Sequence, residues 1–315
     1  MAYFMGIDGG GTSTDFALFT QEGECAATLS RGPCRPGRPL EGALLREGVS
    51  ALLLKAGVQP HEVRAAAFGM PGYGEYGEED TQARALAEAV CAPIPLYLCN
   101  DVEVGHAAAL GLMPGISVVS GTGSIAFAKD EQGTQARAGG WWSNLGSGWW
   151  LGRRTVDSFL KMNDGILPKT ALYAIIRRAF GLKEKEDIFA YTVAHLQDDR
   201  TNLAAVQLWL NEAADAGDEE ALSLYREAAE ELAQLVKGCY NQLRFTGVAG
   251  VSYTGSVFKA GDKLLGPFTE ALDPSRFAVR APLYAPVAGA VLLAASRFCP
   301  DALDAMLRKM DKLGG

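Results

Sequence analysis

Long apolar runs are missing from this 315-residue sequence. No stretch approaches the ~20 residues that span a bilayer. The opening MAYFMGIDGGG lacks the cationic start and the apolar run of about 7–15 residues that mark a secretory signal. The expectation is a chain with no membrane partner, working in the cytoplasm. Excess basic charge is missing too: Lys and Arg number 29 against 37 Asp and Glu, a net charge of -8. That balance offers no basic stripe to neutralise a phosphate backbone, so nucleic acid is not expected as a partner. The six cysteines contain no C-x-x-C pair, and His61, His106 and His195 make no ligand spacing with them. They read as reduced structural thiols rather than metal ligands. What is present, 48% hydrophobic and 21% charged residues, is ordinary for a globular chain, and the length suits two lobes of roughly 100–200 residues each.

Apolar runs bounded by turn residues, and longer stretches of 3.6-residue period, give an element order that occurs twice. Tyr3–Asp8, Asp15–Thr20 and Cys25–Leu29 read as three strands, followed by a helix near Leu40–Ala56, strand Arg64–Phe68, helix Asp80–Val90, strand Pro95–Leu98 and helix Val102–Leu110. The order βββαβαβα then restarts with strands Ile116–Val119, Ser124–Lys129 and Thr134–Ala138. A long helical section over about Trp149–Leu243 precedes strand Ala249–Tyr253, helix Val257–Ala271, strand Phe277–Val279 and helix Val287–Arg297. The predicted fold is α/β with duplicated βββαβαβα units. The predicted lobes are 1–112, completed by a C-terminal helix at 290–315, and 113–289 with a helical insertion at about 149–243.

Between the first two strands lies Gly9-Gly10-Gly11-Thr12-Ser13. Consecutive glycines let a backbone turn with positive φ and bring its amides, with the hydroxyls, against phosphate oxygens. The context is neither a P-loop nor a strand-to-helix dinucleotide fingerprint. Taken alone it can also be a plain glycine hairpin, but the same point of the second unit carries Gly121-Thr122-Gly123-Ser124, and two such turns can hold a triphosphate. Asp8, at the end of the first strand, can hold Mg²⁺ through water. A third element, Thr254-Gly255-Ser256 followed by Phe258, sits where a strand passes into a helix; it suits an approaching adenosine or, as a bland alternative, is an N-cap. Pro286-Val287-Ala288-Gly289-Ala290 is a small-residue helix start suited to close crossing.

These elements, in this order, resemble the phosphate-1, connect-1, phosphate-2, adenosine and connect-2 motifs of the actin/hexokinase/Hsp70-like superfamily. Within it the chain is similar to the BadF/BadG/BcrA/BcrD ATPase family, whose best known sugar kinases are N-acetylglucosamine kinases. The likeness runs through GIDGGGTSTDF, NDVEVGHAAA, VVSGTGSIAF, GSGWWLGRR, YTGSVFKAG and PVAGA. It implies two RNase H-like, actin-like ATPase lobes with a nucleotide cleft between them, ATP and Mg²⁺ as cofactors, and a small-molecule sugar as acceptor. It also implies that Asp101 is the general base, with the acceptor near Asn100, Asp101, Gly72 and Thr122. Asn100 or Asp101 can equally cap the following helix. A homodimer is the expected assembly, dimers being the commonest soluble oligomers.

Two loops depart from the family pattern. The family's sugar kinases carry G-D-E-G-S before an aromatic-rich helix, whereas this chain runs Gly139 to Trp150 as GGWWSNLGSGWW without either acid. Ser143 or Asn144 can supply the missing hydrogen bond, and Trp141 or Trp142 can stack on a sugar face; the tryptophans can also be core or dimer-interface residues. Arg35 and Arg38 stand where the family commonly presents an Asn, which fits an acidic acceptor or a solvated surface loop. The expected function is an ATP-dependent kinase of an amino sugar, N-acetylglucosamine or glucosamine, at the 6-hydroxyl. The alternatives are a kinase of another small, acidic substrate and an ATP-driven activator of a partner enzyme. The activators share a [4Fe–4S] cluster held by cysteines soon after the phosphate-2 turn, and no cysteine lies between Ser120 and Leu235.

Overall fold

The computed structural model describes residues 2–11, 13–34, 42–75, 77–140, 142, 144–184, 187–197 and 199–310. Thr12, Trp141, Ser143, Arg35 and Arg38, all singled out above, lie outside the described residues. Strands β1 (Tyr3–Gly9), β2 (Thr14–Thr20) and β3 (Cys25–Arg31) form an antiparallel meander. Helix α1 (Gly42–Ala56), β4 (Val63–Met70), α2 (Glu78–Cys91), β5 (Leu96–Asn100) and α3 (Asp101–Leu110) follow, with β4 and β5 parallel to β1. The sheet order is β3-β2-β1-β4-β5.

The second set begins with β6 (Gly115–Ser120), β7 (Ser124–Lys129) and β8 (Gln135–Gly139). The predicted helical section is six helices: α4 (Gly148–Asn163), α5 (Ala171–Ala179), α6 (Asp187–His195), α7 (Arg200–Ala205), α8 (Gln207–Asp215) and α9 (Glu219–Tyr240). Then come β9 (Ala249–Thr254), α10 (Asp262–Glu270), β10 (Phe277–Arg280), α11 (Pro286–Phe298) and α12 (Pro300–Met310). Read from its meander edge, the second sheet runs β8-β7-β6-β9-β10, the same topology as the first. The fold is α/β with a duplicated five-stranded mixed sheet. By internal contacts the chain divides into two compact units, Met1–Pro114 with Ala281–Gly315, and Gly115–Arg280.

Period-two alternation decides which face each strand residue serves. In the first unit Met5, Ile7, Phe16, Leu18 and Phe68 point to one core, and Phe4, Ala17, Ala65 and Ala67 to the other. The second face is built from small residues because α11 lies directly on it, against β1 and β4. A Cβ on Gly6 would stand 2.5 Å from the Val287 carbonyl oxygen. In the second unit a single core gathers Ile116, Val118, Ala126 and Val251 of the sheet under Leu232 and Val236 of α9. No helix among the described residues is long and apolar enough to cross a membrane.

Two predicted helices differ from what is found. The span Val257–Ala271 is a 3₁₀ turn, Ser256–Ala260, followed by α10, because Gly261 takes φ 65° between them. The C-terminal helix begins at Pro286 rather than near 290 and stops at Phe298; Cys299, at φ -152° and ψ 65°, leaves the helical region, which the following proline disfavours, and Pro300 opens α12. Residues 311–315 lie outside the described residues.

The small-residue reading of Pro286–Ala290 acquires a geometric basis in the crossing of α11 on α3. A Cβ at Gly289 would sit 2.2 Å from the Val104 carbonyl oxygen and 2.6 Å from the Ala108 nitrogen, both backbone atoms that cannot rotate away. Gly289→Ala is expected to destabilise the protein by ~1–3 kcal/mol, as overpacking of a tight core does. Thermal denaturation checks this, and an unchanged Tm would contradict the crossing.

Candidate functional site

Parallel strands place their C-terminal ends on one edge, where ligands of open α/β sheets gather. Here the register sets Asp8 beside Gly69 and Met70 beside Asn100. Strands β1, β4 and β5 therefore deliver Asp8, the Met70–Tyr73 turn and Asp101 to the same edge of the first unit. The β1–β2 hairpin closes with the Gly10 amide donating to the Ser13 carbonyl at 2.8 Å. It is braced from behind by the Cys34 amide on the Gly10 carbonyl at 3.0 Å and by the Thr14 hydroxyl on the Gly32 carbonyl at 2.9 Å. Gly9 is required by crowding, since a Cβ there would lie 2.9 Å from both the Gly69 carbonyl oxygen and Pro71. Gly11 faces open space, exposed, with half-buried Ser13 completing the turn.

The choice between Asn100 and Asp101 as helix cap is resolved by the hydrogen bonds. Asn100 is the N-cap of α3: its side-chain oxygen accepts from the Val102 amide at 3.2 Å. Its amide nitrogen donates to the Tyr73 carbonyl at 2.8 Å, which ties down the turn in which Gly72 takes φ 72°. The Asn100 side chain is thus spent on positioning both the start of α3 and the preceding turn.

Both carboxyls of this edge titrate high. Burial pushes Asp8 up to about 8, with the charges of Asp101 and Asp15 adding to it. Burial also raises Asp101, to about 6, opposed by the Val102 backbone amide and assisted by the charge of Glu75. With no cation beside them, Asp8 is the more readily protonated of the two and Asp101 the more readily ionised, the expected division for neighbouring carboxyls, and a cation at Asp8 would favour its charged form. Cys99 donates its thiol to the Phe68 carbonyl, and burial with the charges of Glu103, Asp101 and Asp8 holds it well above the usual thiol range. It is an inert filler, not a nucleophile. Asp15 and Glu75 were not predicted as site residues. The hairpin register that pairs Asp8 with Asp15 was a usable signal for the first, whereas Glu75 is brought in by the Asn100–Tyr73 bond, which has no local signature.

In the second unit the Gly121–Gly123 turn is closed by the Gly121 amide on the Gly123 carbonyl at 2.9 Å. The Gly148 and Trp149 amides, at the start of α4, donate to the Gly121 and Thr122 carbonyls at 2.8 and 3.2 Å. A trans peptide holds its C=O and N–H on opposite sides. Directing those carbonyls at α4 therefore turns the Thr122 and Gly123 amides the other way, as an anion cradle needs. Ser124 is buried and donates its hydroxyl to the Leu145 carbonyl at 2.6 Å, while Ser120 donates to Gly146 at 3.0 Å. Ser124 thus laces the hairpin to the following loop and does not present its hydroxyl to a ligand. Asn144 is likewise buried, held at φ 46° with its amide on the Trp142 carbonyl at 2.9 Å and its oxygen against Gly123. It supports the hairpin rather than an open acceptor site.

Parallel pairing of β6 with β9 sets Thr254 beside Val119. Gly255, at φ 106°, leaves no room for a side chain: a Cβ would lie 2.2 Å from the Ser120 carbonyl oxygen. Half-buried Thr254 and exposed Ser256 flank this contact. Phe258, expected to face an adenosine, is in the core instead, its ring against Tyr253 at 4.9 Å and Phe268 at 5.7 Å. The amphipathic 3₁₀ turn has one apolar side, and the core takes it.

Among the described residues no three His, Cys, Asp or Glu side chains converge as a protein-only metal cage. Asp8 fits a different kind of cation site, a single carboxyl beside a glycine turn with free space in front of it, the arrangement Mg²⁺ takes when substrate phosphates and water complete its shell.

Comparison with known proteins finds related chains. The chain is 28% identical over 247 residues to an N-acetylmuramic acid/N-acetylglucosamine kinase of Clostridium acetobutylicum, covering 75% of this chain and 79% of that one. It is 26% identical over 255 residues to an N-acetyl-D-glucosamine kinase of Dictyostelium discoideum, covering 76% and 80%. A crystal structure of a candidate N-acetylglucosamine kinase from Chromobacterium violaceum superposes with a TM-score of 0.72 at 25% identity, covering 93% of this chain and 99% of that one. The model of the BadF/BadG/BcrA/BcrD ATPase family matches residues 5–294, and the chain belongs to that family.

Proposed function

We propose that the protein is an ATP-dependent kinase that phosphorylates an amino sugar, N-acetylglucosamine first among them, at its 6-hydroxyl. The observation that carries the reading is the pair Asn100–Asp101: the asparagine takes the cap, and a carboxylate with a pKa of about 6 stands ionised at neutral pH at the end of β5. Such a group accepts the proton of an acceptor hydroxyl as that oxygen attacks the γ-phosphorus. The new bond is sugar O–P; the bond that breaks joins the γ-phosphorus to the β-phosphate oxygen; the proton goes to Asp101 and ADP leaves. The Gly9–Gly11 turn with Thr12 and Ser13, and the amides of Thr122 and Gly123, are the proposed phosphate ligands, and Thr254, Gly255 and Ser256 border the adenosine. Asp8 would hold Mg²⁺, which supplies charge neutralisation to the phosphates. The names of the relatives support the substrate class; a homodimer located in the cytoplasm, where ATP is, completes the proposal.

ADP release measured against N-acetylglucosamine, glucosamine, N-acetylmuramic acid and glucose tests the reading. Strong Mg²⁺-dependent stimulation by an amino sugar is the expected result, and no stimulation by any of the four removes it. The pH profile carries a second expectation. A general base must be unprotonated, so kcat/KM falls tenfold per pH unit below an apparent pKa near 6 and is level above it, until other groups titrate. An acid limb centred near 4 would mean that Asp101 is not the titrating base.

A further inference from the structure

We propose that Arg200, at the start of α7, is a nucleotide ligand: its guanidinium takes the phosphate seated on the Gly121–Gly123 turn and supplies a full positive charge where the turn itself offers only amide dipoles. This role rests on the proposed use of ATP, and no local motif marks the residue.

The crossing of α7 on α4 puts Arg200 in place. Gly148 and Gly152 are four residues apart and so lie on one face of α4. A Cβ at Gly152 would stand 1.9 Å from the Leu203 carbonyl oxygen, and one at Gly148 would stand 3.4 Å from Ala204. Both glycines therefore let α7 lie directly on α4. The Gly148 amide also donates to the Gly121 carbonyl at 2.8 Å, so the helix that seats α7 is the one that orients the turn. As a result Arg200 Nη2 lies 3.9 Å from the point where a Cβ on Gly123 would stand, and Ser256 Oγ lies 4.0 Å from the corresponding point on Gly121.

The charge of Arg200 is left unanswered by the protein. Asp199, its neighbour, is the N-cap of α7, and its carboxylate accepts from the Thr201 and Asn202 amides at 2.9 and 2.8 Å. Elsewhere in the helical section Arg154 is paired with Glu227, Arg178 with Glu212 and Arg226 with Glu219. Among the described residues no carboxylate pairs with Arg200, in a chain whose acids outnumber its bases by 37 to 29. A guanidinium is a planar fork of donors with no acceptor, and it stands beside a turn whose Thr122 and Gly123 amides are donors as well. Donors side by side repel one another; an anion that accepts from all of them reverses the sign. A phosphate meets the fork with two oxygens and the amides with the remainder. A carboxylate fits the fork too, but has two oxygens where a terminal phosphate has three.

Calorimetric titration of the whole protein with ATP and with adenosine, comparing the wild type with Arg200→Ala and Arg200→Lys, tests the assignment. Arg200→Ala is expected to lose ATP affinity by roughly 10–100-fold, the size of a hydrogen bond to a charged group. Its adenosine affinity and the Tm of the free protein should not change, because the side chain is exposed. Arg200→Lys keeps the charge without the fork and should recover only part of the loss. Equal ATP affinity in the wild type and Arg200→Ala overturns the assignment. A parallel fall in adenosine affinity and Tm overturns it too, by making Arg200 a structural residue. So does a weakening confined to N-acetylmuramic acid, which would give the guanidinium to an acidic acceptor. ATP that binds through Arg200 in a protein stimulated by no sugar removes the kinase and leaves the arginine its role, so the two readings fail separately.

Discussion

Asp101→Asn is expected to lower kcat by the ~10²–10⁴-fold that general-base catalysis contributes, while the fold and nucleotide binding survive. The same substitution carries an internal control against misfolding. Asp101 has its pKa raised to about 6 in the folded protein, above the ~3.9 of an unfolded chain. The folded state then binds more protons than the unfolded one, so the favourable contribution is present at low pH and is lost as pH rises through about 6. An isosteric amide that never ionises escapes that loss. Asp101→Asn is therefore expected to melt above the wild type at pH 8 without nucleotide, and level with it below pH 4. Asp8→Asn should show the same gain over a window reaching about 8, together with a loss of Mg²⁺ dependence. A dead enzyme that is also less stable at pH 8 would mean that Asp101 is a structural residue.

Gly255→Ala is expected to have a large effect on both the stability of the second unit and its ligand binding. Its backbone at φ 106° is strained for any side chain, at ~1–3 kcal/mol, and the added Cβ would fall 2.2 Å from the Ser120 carbonyl oxygen. Ser120 is the last residue of β6 and leads directly into the Gly121 turn, so relief of the clash moves the turn. Against a total stability of ~5–15 kcal/mol, the combined cost lowers Tm markedly and weakens ATP binding in parallel. Gly11→Ala is the contrast, because nothing lies within 4 Å of its Cβ position. There Tm should hold and only nucleotide affinity should fall, through obstruction of the phosphate. Equal behaviour of the two variants in both assays would refute the distinction between a glycine demanded by packing and one demanded by ligand approach.

The glycine turns, the duplicated strand order and the carboxylates at strand ends were legible in the sequence because each depends on local chemistry. A glycine triplet turns wherever it stands between two strands, and alternation of apolar residues marks a strand without reference to its neighbours. The division of labour at Asn100–Asp101 was not legible. Either side chain can cap a helix, and the choice fell to Asn100 because only its amide also reaches the Tyr73 carbonyl, on a turn 27 residues earlier in the chain. Ser124, Asn144 and Phe258 have the polarity or flatness of ligand contacts, yet all three are buried, since the loop behind the second hairpin needed internal hydrogen bonds and the 3₁₀ turn had one face to hide. The stretch in place of the glycine–acid loop was read as offering Asn144 to the acceptor; in the folded protein Asn144, Leu145 and Gly146 brace the Gly121–Gly123 turn.

By itself the sequence determined the class of fold, the two glycine turns and the presence of Asp8 and Asp101 at strand ends, all properties of short segments. The tertiary structure alone decided which polar groups face outward, and it set the protonation of Asp8 and Asp101. Both depend on the water excluded and the charges gathered when β1, β4 and β5 come into register, and desolvation and Coulomb interaction act through space between groups that lie far apart along the chain.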